Sequence, residues 1–159
     1  MKLLPATLDH DQDQLRRRYQ AIQACFDAFQ DQATTIFSDE KVMVKLGITV
    51  SDQLKGEFID FRFAGETIRL RRQFALNDKG AAVGIVKVTH RQVDEGTPLA
   101  LGAFTFAANG KTAFGIGEEG DARTALLSSD CPEIIAYYFR QALAGAFKDD
   151  AQQGPLPLA

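Results

Sequence analysis

Residue types that carry crosslinks or metals are scarce in this sequence. It has no tryptophan, two cysteines, two histidines and two methionines among 159 residues. Two cysteines are too few for a disulfide framework and favour reduced thiols in a cytoplasmic protein. Two histidines without clustered cysteines exclude a zinc site of the usual ligand spacing. We therefore expect no disulfide scaffold, no metal centre and no cofactor.

Long apolar runs and an excess of positive charge are also missing. No apolar run approaches the roughly 20 residues of a membrane span. The first residues, MKLLPATLDHDQD, lack the apolar core of a signal peptide. The formal net charge of −3 argues against a general binder of nucleic acid or anionic membranes. We expect a soluble, cytoplasmic protein with neither a membrane nor a nucleic-acid partner.

Core-forming residues are present in ordinary amounts. Hydrophobic residues make up 45% and charged residues 25% of the chain, as is typical of globular proteins. The 12 phenylalanines suggest core rather than recognition surface, because phenylalanine has no polar group. The length fits one domain, residues 1–159. A lead-in at 1–8 and a tail at 148–159 have little to bury and are expected to be flexible.

A long helix is predicted from about Asp9 to Phe37. Apolar residues recur at intervals of four and three from Leu15 to Ile36 and form one narrow seam. Asp9 and the glutamine three residues later read as a capping box. Such a seam fits helix–helix packing, within the fold or across a dimer, and it also fits a helix laid on a sheet, which is the commoner arrangement.

Period-two alternation predicts about six strands after this helix. Turn residues separate them, so the strands form an antiparallel meander. Asn109-Gly110 is the strongest hairpin signal and predicts that Phe106 pairs with Ala113. A polar loop with a helical turn at Arg123–Leu127 should follow. The strands are predicted at 42–48, 57–63, 67–74, 82–90, 98–108 and from 111 to about 117.

The segment 130-DCPEIIAYYFRQALAGAF-147 predicts a second long helix. Asp130 and Glu133 form a capping box, and Pro132 stands in the first turn, where its missing N–H costs nothing. Apolar side chains cover most of the circumference, so the helix should be buried on more than one side. The expected fold is α+β: an N-terminal long helix, an antiparallel meander of about six strands, and a C-terminal helix packed on the sheet.

Counting residues across the turns places three ionisable groups on the apolar face of the sheet: Glu57, Arg72 and His90. A charge there must be paired, exposed at the rim, or used in binding. In one interpretation Arg72 pairs with Glu57 at the rim. In the other, the three line the mouth of a pocket between sheet and helices and bind a small anionic or polar ligand. The predicted pairs are Arg72 with Val86, Leu70 with Val88 and Ile68 with His90.

The opposite face of the predicted sheet is basic. Asp60 should lie opposite Arg69 or Arg71, and Phe58 and Phe74 should share this face. It is either a solvated surface with cross-strand ion pairs or a platform for an acidic protein or nucleic acid, with the rings stacking on bases. Its basic residues are Arg62, Arg69, Arg71, Lys87 and Arg91.

Cys131 is the one candidate nucleophile. A helix N-terminus lowers the pKa of a thiol, but a catalytic thiol also needs a base. The available bases are His10 and His90, and no known nucleophile motif surrounds Cys131. We therefore predict no catalytic residue and interpret Cys131 as a small residue in a capped first turn.

The strand at 98–108 is apolar on both faces, with Leu99 and Leu101 on one and Phe104 and Phe106 on the other. Such a strand is either covered twice or part of a contact between chains. We predict a non-enzymatic protein-interaction module that forms a homodimer. The alternative is a small-molecule-binding protein with a pocket between the sheet and the two helices. The predicted interface residues are Leu99, Leu101, Phe104, Phe106 and, on the seam of the first helix, Phe26 and Phe29.

Overall fold

The computed structural model describes residues 6–51, 56–91, 98–116 and 123–152. The described strands form one antiparallel meander in chain order, curled into a half-barrel. The predicted α+β architecture, with a long N-terminal helix, a meander and a C-terminal helix, is confirmed. The elements are α1 (Ala6–Phe37), α2 (Glu40–Leu46), β1 (Thr49–Val50), β2 (Phe58–Phe63), β3 (Glu66–Leu76), β4 (Ala82–Arg91), β5 (Leu99–Phe106), β6 (Lys111–Ile116), β7 (Arg123–Leu126) and α3 (Cys131–Gln152).

The ends of the long helices differ from the sequence prediction. Because α1 begins at Ala6, Asp9 lies inside its first turn and is not the N-cap. Negative charge there is still favoured by the helix dipole. The predicted lead-in is thus helical from Ala6, and α3 continues to Gln152 within the predicted tail. The remainder, 1–5 and 153–159, lies outside the described residues.

The strand predicted at 42–48 is wrong, because this segment forms the short helix α2. Asp39 accepts hydrogen bonds from two backbone N–H groups of the first turn, at 2.8 and 3.4 Å. Gly47 ends the helix in the left-handed conformation, with φ 69°. The residues two positions before and after Val44 pack against the core, while Val44 is 88% exposed. The two caps therefore override the period-two alternation.

The predicted register of β3 and β4 is confirmed. Asn77 Oδ1 accepts hydrogen bonds from two backbone N–H groups of the turn, both at 2.9 Å. Gly80 takes the left-handed conformation, with φ 75°. These features fix a three-residue loop. The observed pairs include Arg72 with Val86, Leu70 with Val88 and Ile68 with His90.

The β5–β6 hairpin is one residue longer than predicted. Phe106 pairs with Thr112 and not with Ala113. The side chain of Asn109 accepts a hydrogen bond from the backbone N–H two residues on, at 3.0 Å, and Gly110 has φ 85°. A three-residue loop with a left-handed glycine replaces the expected two-residue turn, and each residue of β6 shifts by one position.

The helical turn predicted at Arg123–Leu127 is also wrong. Residues Arg123–Leu126 form β7, which pairs with β6. The Thr112 hydroxyl donates to the Ala125 carbonyl at 2.8 Å, and the Leu126 N–H donates to the Asp130 carboxylate at 2.7 Å. These two contacts satisfy backbone hydrogen-bonding groups of the segment while it is extended. Their partners lie four and thirteen residues away in the sequence, so the segment alone does not reveal them.

A β-bulge changes the faces of β5. The register shifts by one residue at Leu101, which leaves Leu99 on the same face as Phe104. The prediction that Leu99 faces away from Phe104 is therefore wrong. Leu101 is half-buried and packs against the core. The pairs on either side of the bulge are Val88 with Gly102 and Thr89 with Ala100.

The two long helices cover one face of the sheet, which we call the inner face; the opposite one is the outer face. α1 contacts β4 and α3, and α3 also contacts β3. The seam of α1 therefore packs within this chain. Each large apolar side chain buried there contributes about 1.5–3 kcal/mol. Among the described helices, none has both the length and the apolar character to cross a membrane. The largest fully buried side chains include Phe26, Phe29, Phe37, Phe61, Ile68, Leu70, Phe106, Ile134, Ile135 and Phe139.

Candidate functional site

Arg72 and Glu57 are neighbours in the backbone but not through their side chains. The Arg72 N–H donates to the Glu57 carbonyl at 2.8 Å. The Glu57 carboxylate is exposed and lies 3.7 Å from Nη2 of Arg71. Arg72 is half-buried on the inner face, with Nη1 3.5 Å from the Tyr19 hydroxyl and its guanidinium carbon 5.8 Å from the centre of that ring. Arg72 therefore contacts α1 rather than Glu57.

His90 is separated from Arg72 and has a partner that sequence reasoning missed. It is 3% exposed, and its Nε2 lies 2.5 Å from Oε2 of Glu66. Glu66 directly precedes the predicted strand 67–74, and its spacing of two from Ile68 places it on the inner face. The Glu66 carboxylate gives the buried imidazole the hydrogen-bond partner that a buried polar group needs. Glu57, Arg72 and His90 thus do not converge on one site.

Cys131 is fully buried at the start of α3. Burial raises the pKa of its thiol far above the ordinary value, and the neighbouring Glu133 carboxylate adds to the shift. An activated cysteine requires the opposite shift. The geometry therefore supports the interpretation of Cys131 as a packing residue.

Most of the predicted interface residues lie inside the chain. Phe26 and Phe29 are fully buried, Phe106 is 1% exposed and Phe104 is 6% exposed. Leu99 is 45% exposed, while Leu101 is half-buried at the bulge. The part of the predicted interface that reaches the surface is therefore the start of β5.

Beside that region the strands β5 and β6 separate. Within 102–116, the backbone contacts between them lie at the hairpin end, where Phe106 pairs with Thr112 and the Ala107 N–H donates to the Lys111 carbonyl at 2.9 Å. Beyond that end, the Phe114 N–H donates to the Thr112 hydroxyl of its own strand at 3.0 Å and not to β5. The resulting cleft, of about 410 Å³, lies between β5, β6 and α3. We call it the aromatic cleft, and its large side chains are Leu101, Phe104, Phe114, Tyr137 and Tyr138.

The rings of the aromatic cleft form one connected cluster. Phe114 meets Tyr137 edge to face at 4.9 Å between centroids, and Phe104 stacks on Tyr138 at 6.1 Å. Each such pair contributes about 0.5–1.5 kcal/mol beyond area burial. Burial, with Tyr137 nearby, raises the pKa of Tyr138 to about 12. Tyr138 is 4% exposed and forms the floor, whereas Tyr137 is 43% exposed and stands at the rim.

A second cleft, of about 450 Å³, lies between α1 and the tips of the β3–β4 and β5–β6 hairpins. Arg18 and Lys79 are its charged lining residues, and the rest of its lining is small or apolar. We call it the hairpin-tip cleft. A third, of about 440 Å³, lies between α2 and the start of α3 and is apolar apart from Lys41, Lys45 and Glu133.

Arg69 on the outer face is neutralised by an acidic partner. Arg69 binds the Asp60 carboxylate with both ends of its guanidinium, at 2.8 and 3.0 Å. The same guanidinium lies 3.8 Å over the ring of Phe58. Phe74, which was predicted on this face, instead lies on the inner face, because it is an even number of residues from Arg72. There it contacts the Tyr19 ring at 5.5 Å.

Compared with known proteins, the chain matches no family model, no curated protein and no solved structure. A functional assignment must therefore come from the geometry alone. Within 6–51, 56–91, 98–116 and 123–152, no cluster of three histidine, cysteine, aspartate or glutamate side chains could hold a metal ion.

Proposed function

We propose that this protein is a non-enzymatic protein-interaction module that forms a homodimer through the aromatic cleft. The observation that carries the proposal is a cleft lined by four aromatic rings, with Tyr137 and Leu99 exposed nearby in the fold. Exposed aromatic and aliphatic side chains beside a cleft lined by aromatic rings are typical of protein contact sites. The free thiols Cys25 and Cys131 accord with the predicted cytoplasmic location.

A second copy of the chain is the occupant that fits best. A two-fold symmetric contact requires one patch that is complementary to itself. Here the same patch supplies an aromatic floor and, at its rim, the half-exposed ring of Tyr137, so two copies related by a two-fold axis can pack these rings against each other. β5 and β6 are not paired with each other beside the cleft, so main-chain hydrogen bonds can add to the contact.

Sedimentation velocity across the micromolar range tests the proposal. We expect the wild-type protein to be a dimer and Tyr137→Glu to be a monomer, because the substitution puts a charge into the apolar contact. Val44→Glu is the matched control, since it adds a carboxylate at an 88% exposed apolar position on α2. A wild-type monomer at high concentration, or equal behaviour of the two variants, would contradict the proposal.

A second candidate function is binding of a small anionic ligand, and the hairpin-tip cleft favours it more than Arg72 and His90 do. Arg18 and Lys79 line this cleft without an acidic residue in the lining. We expect small carboxylates or inorganic phosphate to raise the melting temperature of wild-type protein and of Arg72→Gln, but not of Arg18→Gln combined with Lys79→Gln. Equal stabilisation of all three proteins rejects this site.

A further inference from the structure

The outer face carries an excess of positive charge in two rows. Arg71 on β3 stands directly opposite Lys87 on β4. One further row holds Arg62 and Arg91, which flank Thr67 on β2 and β4. All four cations are exposed. We call these four residues the basic face.

The basic face lacks internal compensation. Directly opposed like charges destabilise a sheet, and the Arg71–Lys87 pair is of this kind. Glu57 lies 3.7 Å from Arg71, but both side chains are more than half exposed, so the attraction is weakened by solvent. In the described part of the chain, Arg62, Lys87 and Arg91 form no ion pair. This local excess of positive charge contrasts with the net charge of −3 of the whole chain.

The spacing of the two rows fits an extended chain. Thr67 and Arg71 are four residues apart along β3, which corresponds to about 13 Å at about 3.3 Å per residue. Arg62 and Arg91 are separated by two strand spacings, or about 9.5 Å. Side chains on one face of an extended peptide recur about every 6.7 Å. The first and third acidic side chains on that face are therefore about 13 Å apart, which matches the distance between the two rows of cations.

We propose that the basic face binds an acidic segment of a partner protein in extended conformation. Guanidinium groups bind carboxylates through paired hydrogen bonds, and Arg62, Arg71 and Arg91 supply three of them. This binding surface is distinct from the aromatic cleft and does not depend on dimer formation.

Nucleic acid fits the basic face less well. Single-stranded nucleic acids bind sheets by stacking bases on exposed aromatic rings. The ring of Phe58 is covered by the Arg69 guanidinium, and Phe74 lies on the inner face. The net charge of the whole protein also opposes the approach of a long polyanion.

Fluorescence anisotropy with a labelled poly-glutamate peptide tests this proposal on the full chain. At low ionic strength we expect wild-type protein to bind the peptide. For Arg71→Gln combined with Lys87→Gln we expect a Kd at least about tenfold higher, equivalent to about 1.4 kcal/mol. The matched control is Arg16→Gln combined with Arg17→Gln. It removes the same charge from α1, where both arginines are exposed.

Two further measurements separate the outcomes. The melting temperature of the Arg71/Lys87 variant should equal or exceed that of wild type, because the two opposed positive charges are removed. The same measurement would show whether the variant had lost its fold. Tyr137→Glu should bind the peptide as wild type does, whatever its oligomeric state. Absence of peptide binding, equal weakening by the control pair, or tighter binding of a single-stranded RNA that depends on Arg71 and Lys87 would overturn the proposal.

Discussion

The imidazole of His90 is buried against the carboxylate of Glu66, with 2.5 Å between Nε2 and Oε2. The two residues tie the start of β3 to the end of β4. His90 is 3% exposed, whereas the Glu66 side chain is 30% exposed. Loss of either partner should therefore have unequal consequences, because only the histidine is cut off from water.

Glu66→Ala should lower the free energy of unfolding by about 1–3 kcal/mol, because it leaves a buried imidazole without its partner. His90→Leu should cost less, since Glu66 can still be hydrated and an apolar side chain suits the inner face. Urea denaturation measures both, with Glu57→Ala at an exposed position as the control. A larger loss for His90→Leu than for Glu66→Ala would contradict this account of the pair.

Cys131 should resist alkylation in the folded protein. Burial raises the pKa of its thiol, so at mildly alkaline pH the reactive thiolate is rarer than in free cysteine. We expect iodoacetamide to label the half-buried Cys25 faster than Cys131, as read by peptide mass spectrometry, and to label both after unfolding. Labelling of folded Cys131 as fast as free cysteine would refute its role as a packing residue and reopen an enzymatic function.

Tyr138 should make stability depend on pH in the alkaline range. Its pKa rises from 10.0 to about 12 on folding, so the unfolded chain loses this proton first. The contribution is present in full below pH 10.0 and is lost as the pH rises toward about 12. Tyr138→Phe should therefore lose less unfolding free energy than wild type over this window. Parallel profiles for wild type and Tyr138→Phe would contradict the buried phenol.

Asp39 should stabilise α2 as its N-cap. Its carboxylate accepts hydrogen bonds from two backbone N–H groups that have no partner within the helix. Asp39→Ala should lower the free energy of unfolding by about 1 kcal/mol, whereas Ser38→Ala, at the exposed preceding position, should have little effect. Urea denaturation distinguishes them. Equal effects of the two substitutions would mean that the cap contributes no stability.

The architecture could be predicted because its signals are local. The register of β3 and β4 follows from the turn chemistry of Asn77 and Gly80 together with simple counting. The strand predicted at 42–48 was wrong because a seven-residue helix, about two turns long, with apolar residues around Val44 also satisfies period-two alternation. The bulge at Leu101 lies beside Gly102, and a glycine inside a strand pattern is a bulge signal that counting by alternation alone does not use.

The candidate sites were less accessible from sequence than the fold. The aromatic cleft lies where β5 and β6 separate and the Phe114 N–H bonds to the Thr112 hydroxyl of its own strand, an arrangement that no periodicity encodes. Phe114 and Tyr137 were therefore missed. Glu66 could have been found by extending the count that placed Arg72 and His90 on the inner face. The basic face could be predicted from the sequence, because its residues follow the period-two alternation. The position of the Arg69 guanidinium over the Phe58 ring could not be predicted from it.

Self-association through the aromatic cleft is the central claim, and amide hydrogen exchange at high and low micromolar concentration tests it most directly. We predict that dilution speeds exchange in β5, β6 and the first half of α3, while β3 and β4 keep the same rates. Exchange rates that do not depend on concentration, or that change mainly in α1 and α2, would contradict the claim.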